Sequence, residues 1–244
     1  MTTFTISIAG FCMEINAIYE TTRTFCRNYL CEGTPEFSVI ISPEDIAFER
    51  KKSEREDRFE GIPVRHFPDE YLETLAVYRK ICTRLLEKGI LLFHGSAVEV
   101  DGVAYLFTAK SGTGKSTHTA LWRQVFKDRA VMINDDKPLL KLTSDGVLVC
   151  GTPWNGKHGL GCNKMVPLKA ICILERAENN TIAPVDAVEA LPMLLQQSFR
   201  TGTPNGTVLL FDILDKLTKR VQLYRLGCNM DPQAAIVAYE GMKG

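Results

Sequence analysis

The run V-A-Y-L-F-T at 103–108 leads into A-K-S-G-T-G-K-S at 109–116, then into T-H-T-A-L-W-R, which reads as a helix. This junction constrains the fold most, because such a loop must stand at the carboxyl end of a strand and the amino end of a helix. Gly112 and Gly114 permit backbone conformations that a side chain forbids, so successive N–H groups can turn inward onto an anion. The helix start adds unpaired amides and the positive end of its dipole. The pattern is that of a phosphate-binding loop. Ala109, Lys110, Ser111, Gly112, Thr113, Gly114, Lys115, Ser116 and Thr117 form the expected nucleotide cradle, with Ala109 where a first glycine is usual. Lys115 is expected to reach the β- and γ-phosphates of ATP, and the Ser116 hydroxyl to sit on Mg²⁺.

The residues before this loop narrow the fold further. Segments 96–100 and 103–108 flank Asp101-Gly102, a strong hairpin signal. The strand that feeds the loop is therefore expected to run antiparallel to its predecessor. Parallel neighbours joined by helices are the commoner setting for such loops. Upstream, alternation over 4–8 and 11–15 around Ala9-Gly10 predicts another hairpin. A helix over 21–30 and a strand over 37–41 come next, and Ser42-Pro43 opens a second helix. The charge-dense segment 49–58 reads as a solvated helix end or surface loop, and Gly61-Ile62-Pro63 as a break. Apolar residues at helical spacing over 69–88 predict an amphipathic helix that Gly89 stops. The expected division is an N-terminal α/β lobe, 1–88, and a nucleotide-binding catalytic domain, 89–244.

Beyond the loop the pattern gives a strand at 130–134, a second Asp-Gly hairpin over 139–150 and a glycine-rich loop at 151–164. A buried strand at 168–174, helices at 185–199 and 208–220, a strand at 221–226 and a terminal helix after Asp231-Pro232 complete the chain.

Composition sets outer limits. The 244 residues are 45% hydrophobic and 24% charged, as in an ordinary globular protein. Formal net charge is zero, so no nucleic-acid partner is expected and any basic site must be a local pocket. The N-terminus lacks a basic lead and a long apolar core, and no apolar run approaches a membrane span. Eight scattered cysteines without a C-x-x-C pair suit reduced thiols in a cytoplasm.

Two features bear on the chemistry that a bound nucleotide would undergo. Asp135-Asp136 end an apolar strand, where a carboxylate commonly holds Mg²⁺ directly or through water. Neighbouring strand side chains point apart, so one acid can serve the metal and the other an attacking hydroxyl. His94, in F-H-G-S-A, opens the strand beside the one feeding the loop, which brings it near Ala109 and Lys110 as a candidate contact for the terminal phosphate. In the 151–164 loop, Trp154 suits either stacking on a ring or packing in a structural loop, and Lys157 suits an anion. Lys137 and Arg200 read as solvated.

The order His94-Gly95, Asp-Gly hairpin, A-K-S-G-T-G-K-S and Asp135-Asp136 resembles the HPr kinase/phosphorylase catalytic domain over roughly 91–142. More distantly it is similar to ATP-dependent phosphoenolpyruvate carboxykinase. The resemblance implies His94 as a phosphate-interacting acid/base, Lys115 as phosphate clamp and Asp136 as base toward the accepting hydroxyl. It also implies Ser116 and Asp135 as Mg²⁺ ligands. The chain departs from the kinase family downstream, where the glycine-rich 151–164 segment stands in place of an acidic residue and a glycine–isoleucine stretch. The expectation is an α/β protein with a mixed sheet of the HPr kinase/carboxykinase-like P-loop type and a small N-terminal lobe. Its expected activity is ATP/Mg²⁺-dependent transfer of the γ-phosphoryl group to a hydroxyl of a protein serine or small molecule. The competing expectation is a nucleotide-binding regulator with little or no chemistry. Oligomeric state is left open, a homo-oligomer included.

Overall fold

The computed structural model describes residues 1–156 and 158–244. The chain divides into two compact units, 1–84 and 85–244. The first is built on a three-stranded sheet. β1 (Thr2–Ile8) and β2 (Phe11–Ala17) form an antiparallel hairpin across Ala9-Gly10, and β3 (Phe37–Ile40) lies parallel to β2. Phe4, Ile6 and Ile8 alternate inward against Met13 and Ile15, as the period of two requires. The helix expected over 21–30 is shorter. α1 (Glu20–Phe25) gives way to a 3₁₀ turn at Arg27–Tyr29.

α2 (Pro43–Glu60) starts in a capping box, with Ser42 and Asp45 satisfying each other's backbone donors, and ends on Gly61 at φ 70°. It absorbs the whole charge-dense segment, whose reading as a solvated surface holds only in part. Glu49 and Asp57 are buried, the first paired with Arg79 and the second with Arg65, which also donates its backbone N–H at 2.8 Å. α3 (Asp69–Leu86) carries the predicted apolar stripe and another buried acid, Glu73. The Glu73 carboxylate accepts from the backbone N–H groups of Ile18 and Tyr19 and from the Thr22 hydroxyl. It thereby fixes the chain entering α1, where Tyr19 at the N-cap position makes no side-chain cap.

The second unit has, among the described residues, a nine-stranded mixed sheet. Its spine is β10 (Met165–Arg176), which pairs antiparallel with β9 (Val147–Cys150) at its start. Farther along it lies parallel to both β6 (Val103–Thr108) and β12 (Gln222–Cys228). A bulge between Leu168 and Ala170 reverses the alternation of β10. Val166 and Leu168 face one core and so do Ile171 and Ile173, whereas Ala170, Cys172 and Leu174 face the other. β5 (Ser96–Val100) pairs antiparallel with β6, as Asp101-Gly102 predicts, and β7 (Ala130–Asn134) pairs antiparallel with β5. β6 is thus antiparallel to β5 on one edge and parallel to β10 on the other. Two short strands escape sequence reading. β4 (Ile90–Leu92) has three residues, and β11 (Thr181–Pro184) is an exposed strand ending in proline. β8 (Leu139–Leu142) joins β4 to β9.

Helices cover both faces. α4 (Lys115–Phe126) and α7 (Gln233–Met242) close one, and α5 (Ala187–Gln197) and α6 (Pro204–Thr218) supply the other core. α4 is anchored by aromatic packing. Trp122 is fully buried with ring centroids of Tyr105, Phe107, Phe126 and Tyr239 at 4.9–5.9 Å. Its indole N–H donates to His118 Nε2 at 3.0 Å. No helix of the described residues is long and apolar enough to cross a membrane.

Candidate active site

The geometry that matters begins with the face α4 leaves free. His118, Leu121 and Trp122 point into the protein, so Ser116, Ala120 and Arg123, at helical spacing, line a cleft of about 660 Å³, with the buried Thr119 at its edge. Its mouth is the 109–116 loop. Gly112 at φ 75° and Gly114 at φ 124° hold the left-handed conformations that a side chain disfavours. Gly114 is the N-cap of α4 and brings no side-chain acceptor, which leaves the first-turn N–H groups open toward the cleft. From outside, Arg176 at the end of β10 donates to the carbonyls of Gly112 at 2.6 Å and Thr113 at 3.3 Å. The Thr113 N–H is taken by the Lys110 carbonyl at 3.2 Å, so Arg176 and this turn together fix the loop backbone.

Lys115 lies back on the loop, its Nζ 3.1 Å from the Ala109 carbonyl. Burial pulls its pKa below the ordinary 10.5, with Asp136 and Asp135 acting in the opposite direction. A half-desolvated ammonium whose hydrogen bond goes to a neutral carbonyl gains strongly from an arriving anion.

The opposite wall is built by the turn after β7. Asn134 is fully buried and is the hub of that turn. Its side-chain oxygen accepts from the N–H groups of Asp136 (2.9 Å) and Lys137 (2.7 Å), and its amide donates to the Thr152 hydroxyl at 2.9 Å. Asp135 and Asp136 consequently take separate roles. Asp135, 7% exposed, accepts from Ser96 Oγ at 2.6 Å, and Ser96 meets Thr119 Oγ1 of α4 at 2.9 Å. Asp136 accepts from His94 Nε2 at 3.0 Å and faces Lys137 Nζ at 3.4 Å. Burial pushes the Asp136 carboxyl up, but the His94 hydrogen bond and the Lys137 charge prevail and hold it below its ordinary 3.8.

His94 is fixed from three sides. Its N–H donates to Gln197 O at 2.7 Å, its carbonyl accepts from Thr108 Oγ1 at 3.1 Å, and the next N–H, of Gly95, donates to Asp136 O at 3.1 Å. A Cβ on Gly95 would come within 2.9 Å of the Phe107 carbonyl, so only glycine lets this segment lie so close to β6.

Of the residues picked from sequence, His94, Ser111, Gly112, Gly114, Lys115, Ser116, Thr117, Asp135 and Asp136 meet in this cleft. Ala109 is buried beneath the loop, Lys110 is exposed, and Thr113 contributes its carbonyl to Arg176. Trp154 is packed, 5% exposed, which excludes it as a stacking platform. Lys157 lies outside the described residues. Lys137, read as solvated, pairs with Asp136 instead. Sequence reading missed Ser96, Thr119, Arg123, Asn134, His158 and Arg176. Only Asn134 had a local signal, an Asx turn at the end of an apolar strand. The acidic residues of the cleft do not form, among the described residues, a group of three that would hold a metal alone. One or two protein oxygens beside phosphate oxygens is the usual Mg²⁺ arrangement, and Ser116 with Asp135 fits it.

A family model described as SynChlorMet cassette protein ScmC matches residues 69–239. The chain belongs to the ScmC family. The ScmC match takes in every residue that lines the cleft. Among solved structures the chain is similar to the Hpr(Ser) kinase/phosphatase from Coxiella burnetii, at 12% identity and a TM-score of 0.39. That likeness covers 63% of this chain and 99% of the other. No curated protein matches.

Proposed function

We propose that the chain is an ATP/Mg²⁺-dependent kinase that transfers the γ-phosphoryl group to a hydroxyl, with a P-loop architecture of the HPr kinase/carboxykinase-like type in 89–244. One juxtaposition carries this reading. An uncapped helix start with Lys115 faces, across a single cleft, a buried turn presenting Asp135 and the His94–Asp136 pair. On this reading the first-turn amides of α4 and Lys115 bind the β- and γ-phosphates. Ser116 and Asp135 hold Mg²⁺, which when bound offsets charge on the phosphate oxygens. Asp136 orients the acceptor hydroxyl and receives its proton, and His94, whose Nε2 N–H goes to Asp136, fixes that carboxylate beside the transferring group. Positioning and charge stabilisation supply most of the rate.

A non-catalytic nucleotide-binding reading has its own support, because Asp136 is already engaged by His94 and Lys137 and is a weak base. Titration calorimetry of ATP with and without Mg²⁺, followed by an ADP readout against a panel of hydroxyl acceptors, separates the two. The kinase reading expects Mg²⁺-dependent binding and ADP that appears only with an acceptor. Binding without ADP under any acceptor favours the regulator, and absence of binding removes both.

A further inference from the structure

Arg123 has no part in the phosphate chemistry of the proposed kinase, yet it lines the same cleft. Its Nε is buried and lacks a hydrogen-bond partner. The cleft's own acids are engaged elsewhere, Asp135 by Ser96 and Asp136 by His94 and Lys137. Arginine is a permanent cation whose planar fork matches a carboxylate, and a buried donor without an acceptor is costly. A guanidinium with its Nε in that condition, in a cleft also lined by the half-buried apolar Leu160, is suited to an anion that enters from outside.

Its position limits what that anion belongs to. Arg123 lies seven residues beyond Ser116, about 10 Å along the axis of α4. The phosphates are at the other end, where the amides and Lys115 are. An extended peptide covers about 10 Å in three residues, whereas a single amino acid does not.

We propose that Arg123 is an anion subsite for the acceptor, and that the acceptor is a peptide segment with a carboxylate side chain about three residues from its serine or threonine. This rests on the kinase reading. In the transfer, the hydroxyl oxygen bonds to the γ-phosphorus and the bond from that phosphorus to the β-phosphate oxygen breaks. ADP leaves, and the hydroxyl proton passes to Asp136.

The test uses the full chain saturated with Mg²⁺ and the non-hydrolysable analogue AMP-PNP. Blocked serine hexapeptides with one glutamate placed two, three or four residues to either side are titrated in by calorimetry, beside their glutamine counterparts. Wild type is expected to bind the best glutamate peptide at least about tenfold more tightly than its glutamine twin. Arg123→Gln erases that difference, and Arg123→Lys retains part of it because the charge stays and the fork is lost. Circular dichroism checks that both variants fold. Equal affinity for the two peptide series in wild type, absence of binding by both included, overturns the proposal. So does an Arg123→Gln variant that loses AMP-PNP affinity about tenfold while peptide discrimination persists, since Arg123 then serves the nucleotide. Failure of the kinase reading shows differently, as absent AMP-PNP binding to wild type. The peptide titration on unliganded protein then still reads the subsite.

Discussion

Asp136 meets two demands at once. The His94 hydrogen bond and the Lys137 charge keep it ionised, and the Asn134 turn aims it across the cleft at the α4 amino end. An anion so stabilised is poor at removing a proton early but well placed to orient a hydroxyl and take its proton late in transfer. Asp136→Asn keeps the shape and removes the charge. Turnover should fall about 10²- to 10⁴-fold with Mg–ATP affinity little changed, measured as kcat beside a binding titration. Unchanged ADP production in this variant would exclude Asp136 as the base. His118 makes a different prediction. Burial lowers its pKa from 6.5 to about 4, and its Nε2 accepts the Trp122 indole N–H, so the folded protein keeps it neutral. The unfolded chain binds a proton near pH 6.5 and the folded chain only near pH 4. The stability linked to His118 is therefore whole above pH 6.5 and declines as pH falls toward about 4, by up to about 3 kcal/mol. Urea midpoints measured from pH 7 to pH 4.5 should show that decline, and His118→Gln should flatten it.

At the scale of elements, the loop and α4 owe their geometry to partners far away in sequence. Trp122 fixes the helix from below, and Arg176 holds the loop carbonyls from outside. Removing Arg176 leaves those carbonyls to water and loosens the loop backbone that leads into α4. Arg176→Ala is expected to weaken Mg–ATP binding about tenfold with a thermal midpoint within about two degrees of wild type. A large midpoint drop at unchanged affinity would make Arg176 a stabilising residue only. In the first unit, α1 depends on Glu73 in a comparable way. Three donors, from Ile18, Tyr19 and Thr22, converge on that fully buried carboxylate. Glu73→Ala strands them and is expected to cost about 3 kcal/mol, read by urea denaturation together with loss of hydrogen-exchange protection at Ile18 and Tyr19. Wild-type protection in this variant would show that the Ile18 and Tyr19 amides do not depend on the carboxylate.

For the whole molecule, ligand linkage gives the most direct check. A nucleotide that binds only the folded chain at 100 times its Kd adds about 2.7 kcal/mol. Mg–ATP should therefore raise the thermal midpoint of wild type and leave that of Lys115→Ala nearly unmoved. Protection against hydrogen exchange should appear in α4, in the turn after β7 and in the 109–116 loop. The two units have separate sheets, and the second has a core on each face of its own sheet. The ScmC match begins at α3 and continues through the unit that holds the cleft.

What the sequence determined is local. Asp101-Gly102 fixes the β5–β6 hairpin because few other dipeptides enter that turn, and here Asp101 and Gly102 take φ of 56° and 85°. The glycines at 112 and 114 shape the loop because only glycine enters those conformations at low cost. The stripe of α3 follows from a period that a reader can count. Tertiary structure decided the rest. It placed β10 between β6 and β12, brought Arg176 to a loop more than sixty residues away, and set His94 against Asp136 across a strand end. It also buried Glu73, and with it Glu49 and Asp57 of the segment that reads as a solvated surface until their partners are known. The reason is physical. A turn or a helix is decided by neighbours a few bonds away, whereas these contacts exist only once the sheet closes and desolvation makes each charge seek a partner.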